Sequence, residues 1–228
     1  MLKYFSSKHP TNEFAPTWHI PMYNELFNFQ ECGVIHDWLL DNKDEFLKYP
    51  VNPVGDTGLA DSTITARLGS YNLFNYRDQC ESLQTLYNYL QALYLDFVTK
   101  KGAAVRNCNI IGWFNILEKG DKIKPHHHGA TADTYISGNM HLKDYDSYTL
   151  YVSPYDNQVV YPDPNKMGNV TLFPTYLEHC TTEHTQDEPR VSIAFDIVLH
   201  REDENGLCIP FINEDILKNI TEENEYAR

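Results

Sequence analysis

At 228 residues, the chain is long enough to bury about 70–75% of the surface its unfolded form exposes, so it needs no disulfide or metal staples to hold a core. With 42% hydrophobic and 13% aromatic residues, sixteen Tyr among them, it is too apolar for a disordered acidic tail protein. Eighteen Lys+Arg against 32 Asp+Glu leave a net charge of −14, which argues against nucleic acid or anionic lipid as main partner, because both need cationic side chains to displace counterions.

The opening residues MLKYFSSKHPTNEF lack the apolar stretch of a signal peptide, and no window approaches eighteen consecutive apolar residues. Five scattered cysteines with no C-x-x-C fit reduced thiols better than a secreted framework. Together these features predict a protein of the cytoplasm with no membrane partner.

The N-terminal third has a helical pattern. A first helix is expected over about 32–47, where Val34, Ile35, Trp38, Leu39, Phe46 and Leu47 recur before Tyr49-Pro50 stops it. The Gly-, Ser-, Thr- and aromatic-rich stretch GDTGLADSTITARLGSYNLFNYRDQ then reads as a strand within a long connection or a loop over a site. A second helix follows, with an apolar stripe of Leu83, Leu86, Tyr87, Leu90, Leu93, Tyr94 and Phe97. Asp78 and Glu81 have the spacing of a capping box, and Gly102 after Lys100 and Lys101 is a stop.

Beyond Gly102 the rhythm becomes period two. Strands are predicted over 105–118, 134–142, 148–153, 169–173 and 190–199. In the last of these, Val191, Ile193, Phe195, Ile197 and Leu199 face one way, and Arg190, Ser192, Ala194 and Asp196 the other. The reading is one domain, mainly β, an antiparallel sandwich or barrel of about eight strands with flanking N-terminal helices. Residues 1–104 supply helical support and a substrate loop, 105–200 the core and site, and 201–228 an acidic tail with one short helix near 213–219.

Chemistry concentrates at Pro125-His126-His127-His128-Gly129. Residues two apart in an extended chain point the same way, so His126 and His128 can reach one metal while His127 faces elsewhere. Such a triplet is also what a solvated loop looks like. Downstream, His179 offers a third imidazole. Arg190 with Ser192 offers an anchor for a carboxylate, which a guanidinium fork binds bidentately. His141 and His184 lie outside this spacing and read as structural or surface imidazoles. Cys180, on the far side of the strand from His179, reads as a small core residue. Tyr145, Tyr148, Tyr151 and Tyr155 suit either sheet packing or a substrate cleft.

In order and spacing, Trp113-Phe114-Asn115, Pro125-His126-His127-His128, Ser137-Gly138, Leu172-Phe173-Pro174 through His179, and Arg190-Val191-Ser192 form a pattern. Over residues 107–199 this pattern resembles the iron(II)- and 2-oxoglutarate-dependent dioxygenases, in the branch near the prolyl 4-hydroxylases that includes proteins of marine bacteriophages. The resemblance implies a double-stranded β-helix, a cupin-like jelly roll, with iron at its open end. It implies His126, His128 and His179 as metal ligands and catalytic centre, and Arg190, Ser192 and Asn115 as residues binding 2-oxoglutarate. Most relatives have Asp or Glu where His128 stands; Asp133 is the alternative carboxylate if the turn folds back.

The implied reaction is a hydroxylation with Fe(II), 2-oxoglutarate and O2 as cofactors, and ascorbate as an optional reductant. Its implied substrate is a prolyl residue in a peptide or protein, with a small molecule or free amino acid as the alternative. A cupin-type metal-binding protein that is not an oxygenase is the reading from a different class.

Overall fold

The strict alternation in RVSIAFDIVL makes one long strand the backbone of the molecule. One face, with Val191, Ile193, Phe195 and Ile197, is almost wholly buried against the helices. The other turns Arg190, Ser192, Ala194 and Asp196 into a cavity. The computed structural model describes residues 1–7, 12–53, 57–129, 135–200 and 206–218. Within them the elements run β1 (Leu2–Ser6), β2 (His19–Leu26), α1 (Phe29–Phe46), α2 (Glu81–Lys101), β3 (Cys108–Leu117), β4 (Ile136–His141), β5 (Tyr148–Val152), β6 (Val160–Pro164), β7 (Asn169–Pro174), β8 (His179–Thr181), β9 (Arg190–Leu199) and β10 (Ile209–Ile212).

Seven strands form one antiparallel sheet in the order β1-β2-β7-β4-β9-β3-β10, and three form a second in the order β6-β5-β8. This is a jelly-roll sandwich, as the sequence implied. Helices α1 and α2 cover the outer face of the large sheet, and their stripe residues Leu39, Leu83, Leu86 and Leu90 join Ile193 and Phe195 in the main apolar cluster. A smaller cluster of Phe5, Ile20, Met22, Tyr151, Phe173 and Leu177 draws on strands of both sheets. Phe195 lies between Gly112 of β3 and Gly138 of β4 in the register. A Cβ on Gly138 would come within 2.3 Å of the Phe195 ring, so the absent side chain is what lets the ring fill that space.

Several sequence expectations change. Helix α1 starts earlier than its apolar pattern suggests, because the Asn28 side chain caps it by accepting from the Gln30 N–H. Helix α2 begins at buried Cys80, with no side-chain cap, rather than at Asp78: burial of the first turn decides the start. Gly102 closes α2 in the left-handed region at φ 70°.

Residues 1–104 are not only helical support, since β1 and β2 extend the large sheet through β7. Residues 201–228 are not only a tail, since β10 pairs with β3 and buries Phe211. Helix is present at 214–218, and residues 201–205 and 219–228 lie outside the described residues. Among the described residues no helix is long and apolar enough to cross a membrane, and Cys32, Cys80 and Cys108 are buried thiols.

Candidate active site

His126, His128 and His179 come together through backbone pairing. The His126 and His179 amides exchange hydrogen bonds of 3.0 and 2.9 Å, and the His128 N–H donates to the Thr175 carbonyl at 3.1 Å. This short bridge sets the His126 and His179 rings 4.3 Å apart, with His128 5.3 and 5.1 Å from each. One nitrogen from each lies within 4.8 Å of the others. His127 lines the outer groove, away from the other two as alternation predicts, but it also reaches the rim of the cavity. Asp133, the alternative carboxylate, lies outside the described residues.

The second nitrogen of each ring is already committed. His126 Nδ1 is 2.8 Å from the Lys124 carbonyl and His179 Nδ1 is 3.0 Å from that of Leu177. A carbonyl only accepts, so both Nδ1 atoms carry the hydrogen. His128 Nδ1 is 2.7 Å from Asp196 Oδ1, and donates likewise. In its neutral form each of the three rings therefore offers Nε2 as the ligand atom. Burial, and then the neighbouring His128, holds His126 below the usual imidazole range; burial drives His179 well below it. For His128, burial opposes the charged form, but the charge of Asp196 and the bond to it outweigh burial and raise its pKa. Three convergent Nε2 atoms with fixed tautomers fit a divalent transition metal.

The cavity they border has a volume of about 410 Å³. Its far wall is the inner face of β9 and its neighbours. Ser192 lies between Asn115 of β3 and His141 of β4 in the register, and Asp196 lies between Ile111 and Ser137. Arg190 is 2% exposed and Ser192 5%. Burial lowers the Arg190 pKa to about 10, which leaves the guanidinium charged at neutral pH. Its Nε and Nη1 find no hydrogen-bond partner among the described residues. A buried cation with unsatisfied donors is costly unless an anion meets it, and a dicarboxylate terminus has the matching shape.

His141 is the residue that sequence reasoning passed over. It is fully buried, borders the cavity, and neither ring nitrogen has a partner among the described residues. Burial first and Arg190 second hold its pKa well below the usual range. Alternation of Ser137, Asn139 and His141 along β4 was the available clue; the pairing that sets His141 beside Ser192 was not readable. His184 is structural as expected, its Nε2 2.7 Å from the Glu188 carbonyl.

Cys180, expected in the core, is half-buried and borders the cavity. Of the four tyrosines, Tyr145 and Tyr151 are buried packing residues, while Tyr148 and Tyr155 are exposed. Tyr155 lines an open groove of about 920 Å³ with Tyr176, Asp156 and Glu178, reaching the cavity rim at His127. The Gly- and Ser-rich connection reads as a cover over the site: Thr57, Leu68 and Gly69 border the cavity.

Residues 112–196 match the family described as "Putative 2OG-Fe(II) oxygenase", a span that holds His126, His128, His179, Arg190, Ser192 and Asn115. No curated protein matches the chain. Among solved structures it is similar to a prolyl-4-hydroxylase from Pseudomonas putida, at 11% identity over 79% of this chain and 93% of that one, TM-score 0.56. It is similar to a prolyl hydroxylase from Trichoplax adhaerens, in complex with a peptide fragment of hypoxia inducible factor, at 10% identity over 78% and 82%, TM-score 0.56. The non-heme alpha ketoglutarate dependent carbocyclase SnoK from nogalamycin biosynthesis is also similar, at 9% identity over 78% and 79%, TM-score 0.54. At such identities the likeness is one of fold. The family match over residues 112–196 points to the Fe(II)- and 2-oxoglutarate-dependent oxygenases, and the fold is the one shared with these prolyl hydroxylases.

Proposed function

We propose that the chain hydroxylates an unactivated C–H bond and that its substrate is a prolyl residue in a peptide or protein. In this reading His126, His128 and His179 hold Fe(II), which with 2-oxoglutarate and O2 supplies the oxidising chemistry. The chain's own residues do the rest. The three Nδ1–H bonds hold the imidazoles in their coordinating tautomer. Arg190 and the Ser192 hydroxyl bind the distal carboxylate of 2-oxoglutarate, with His141 beside them as a further donor and Asn115 on the adjoining strand toward the same co-substrate. Leu68, Trp113 and Phe173 exclude water from the space between.

The observation that carries the peptide reading is the open groove running to the cavity rim, where exposed Tyr155 and Tyr176 offer flat contact surfaces with little rotamer entropy to lose. Asp156 and Glu178 on its wall favour a neutral or basic peptide over an acidic one. Likeness in fold to prolyl hydroxylases supports the choice of proline, and likeness to SnoK supports the second reading, a small-molecule substrate in the same cavity. A reduced, cytoplasmic setting fits the buried thiols.

The test is a screen of proline-containing peptides with Fe(II), 2-oxoglutarate and air, read as a one-oxygen mass increase matched by succinate. Succinate formed with small molecules but with no peptide would favour the second reading.

A further inference from the structure

The three imidazoles are not equivalent. His126 and His179 each give their Nδ1 hydrogen to a neutral backbone carbonyl, whereas His128 gives its own to a carboxylate, Asp196, at 2.7 Å. The pair is sheltered, with side chains 12% and 16% exposed. Asp196 is held from behind: the Ser137 hydroxyl donates to the same Oδ1 at 2.6 Å, and Ser137 is its cross-strand neighbour on β4. Thr175, whose hydroxyl lies 3.2 Å from that of Ser137, also accepts the His128 amide through its carbonyl. Strand register, hydroxyls and backbone thus fix one carboxylate against one imidazole.

We infer that Asp196 is a positioning residue that supplies, one hydrogen bond behind the metal, the negative charge that other members of the family bond to it directly. The inference rests on the reading that His126, His128 and His179 hold Fe(II). An imidazole whose N–H is drawn toward a carboxylate gains electron density at its other nitrogen and binds a cation more strongly, with its ring orientation locked. Three neutral imidazoles alone would leave the centre more positive than two imidazoles and a carboxylate. With Asp196 in place, the charge around the metal approaches that of the usual set, while the position of His128 is kept.

Asp196→Asn retains shape and an acceptor oxygen but removes the charge. Anaerobic titration with Fe(II) should show an affinity lower by about 10- to 100-fold, as for other partners one bond behind a metal ligand. On adding 2-oxoglutarate, the visible charge-transfer band should move to shorter wavelength, because a less electron-rich iron gives up an electron less readily. A purely structural role would lower the melting temperature and leave the band where it was. In the unaltered protein loaded with Zn(II), heavy-nitrogen-labelled histidine should show one Nδ1 proton well downfield of the other two, a reading that needs no variant to fold.

If wild type gives no band at all, the ligand reading itself fails. If wild type gives the band and folded Asp196→Asn matches it in affinity and wavelength, the ligand reading stands and the role of Asp196 is overturned. His128→Ala keeping its Fe(II) affinity while Asp196→Asn loses it would make Asp196 the direct ligand, which also overturns the proposal.

Discussion

The two ends of the cavity are built on opposite principles. At the imidazole end every Nδ1 has a partner in the protein, so the rings are fixed and only the three Nε2 atoms converge. At the Arg190 end the polar groups are buried more deeply, yet Arg190 Nε and Nη1 and both nitrogens of His141 have no partner among the described residues. Each such group costs roughly 1–3 kcal/mol when nothing meets it. The first end sacrifices little stability to stay organised; the second holds donors in readiness for an anion. The positions in the fold agree with this division. The imidazoles sit at a turn and at the start of a three-residue strand, where a ring can be aimed, whereas Arg190 and Ser192 sit on a ten-residue strand in the interior of the large sheet.

The harshest way to break that comparison is to remove a ring. His179→Ala should weaken Fe(II) binding by more than the factor of about 100 that marks the loss of a partner one bond further out. Binding of 2-oxoglutarate as a chelate should fall with it, read by the charge-transfer band. Arg190→Met should do something different. It removes a buried cation from one end only, so 2-oxoglutarate affinity should fall by about 2–5 kcal/mol, the usual range for truncating one side of a buried charge pair, while Fe(II) affinity changes little. The ligand-free variant should be at least as stable as wild type in urea, because an uncompensated charge has gone. Equal losses of iron and 2-oxoglutarate in Arg190→Met would show that the two ends are not separate.

How much of this was legible in the sequence follows the same division. The faces of β9 were readable because alternation in RVSIAFDIVL is strict, and it placed Arg190, Ser192 and Asp196 together. The pair His126 and His128 was readable for the same reason. What alternation cannot supply is register. That His141 adjoins Ser192, and Ser137 adjoins Asp196, depends on the pairing of β4 with β9 across more than fifty residues of chain, and no local pattern encodes it. Strands β1 and β10 were missed because they are short and lie at the two edges of the large sheet: β1 has a single buried side chain, Phe5. The N-terminus of α2 was misplaced because the burial of Cys80, a tertiary effect, overrode the cap chemistry of Asp78.

The smallest effect is the sharpest probe of the Arg190 end. His141 is held neutral by burial and by the charge of Arg190, with its folded pKa well below 6.5. On unfolding it regains an ordinary imidazole pKa, so between the two values the unfolded chain binds more protons than the folded one. Stability from this group is therefore complete above about pH 6.5 and is lost as the pH falls toward the folded value, with a slope of at most about 1.4 kcal/mol per pH unit. His126 and His179 act in the same direction, so the metal-free wild type shows a composite slope. Urea unfolding of His141→Phe between pH 7.5 and 5 should be flatter by up to that single-group amount; identical slopes would mean that His141 takes up its proton in the folded cavity. Arg190→Met tests the cause, since removing the neighbouring charge should bring the folded pKa of His141 closer to its ordinary value. The slope should then end at a higher pH in that variant than in wild type, which ties the neutral imidazole to the buried guanidinium as one electrostatic unit.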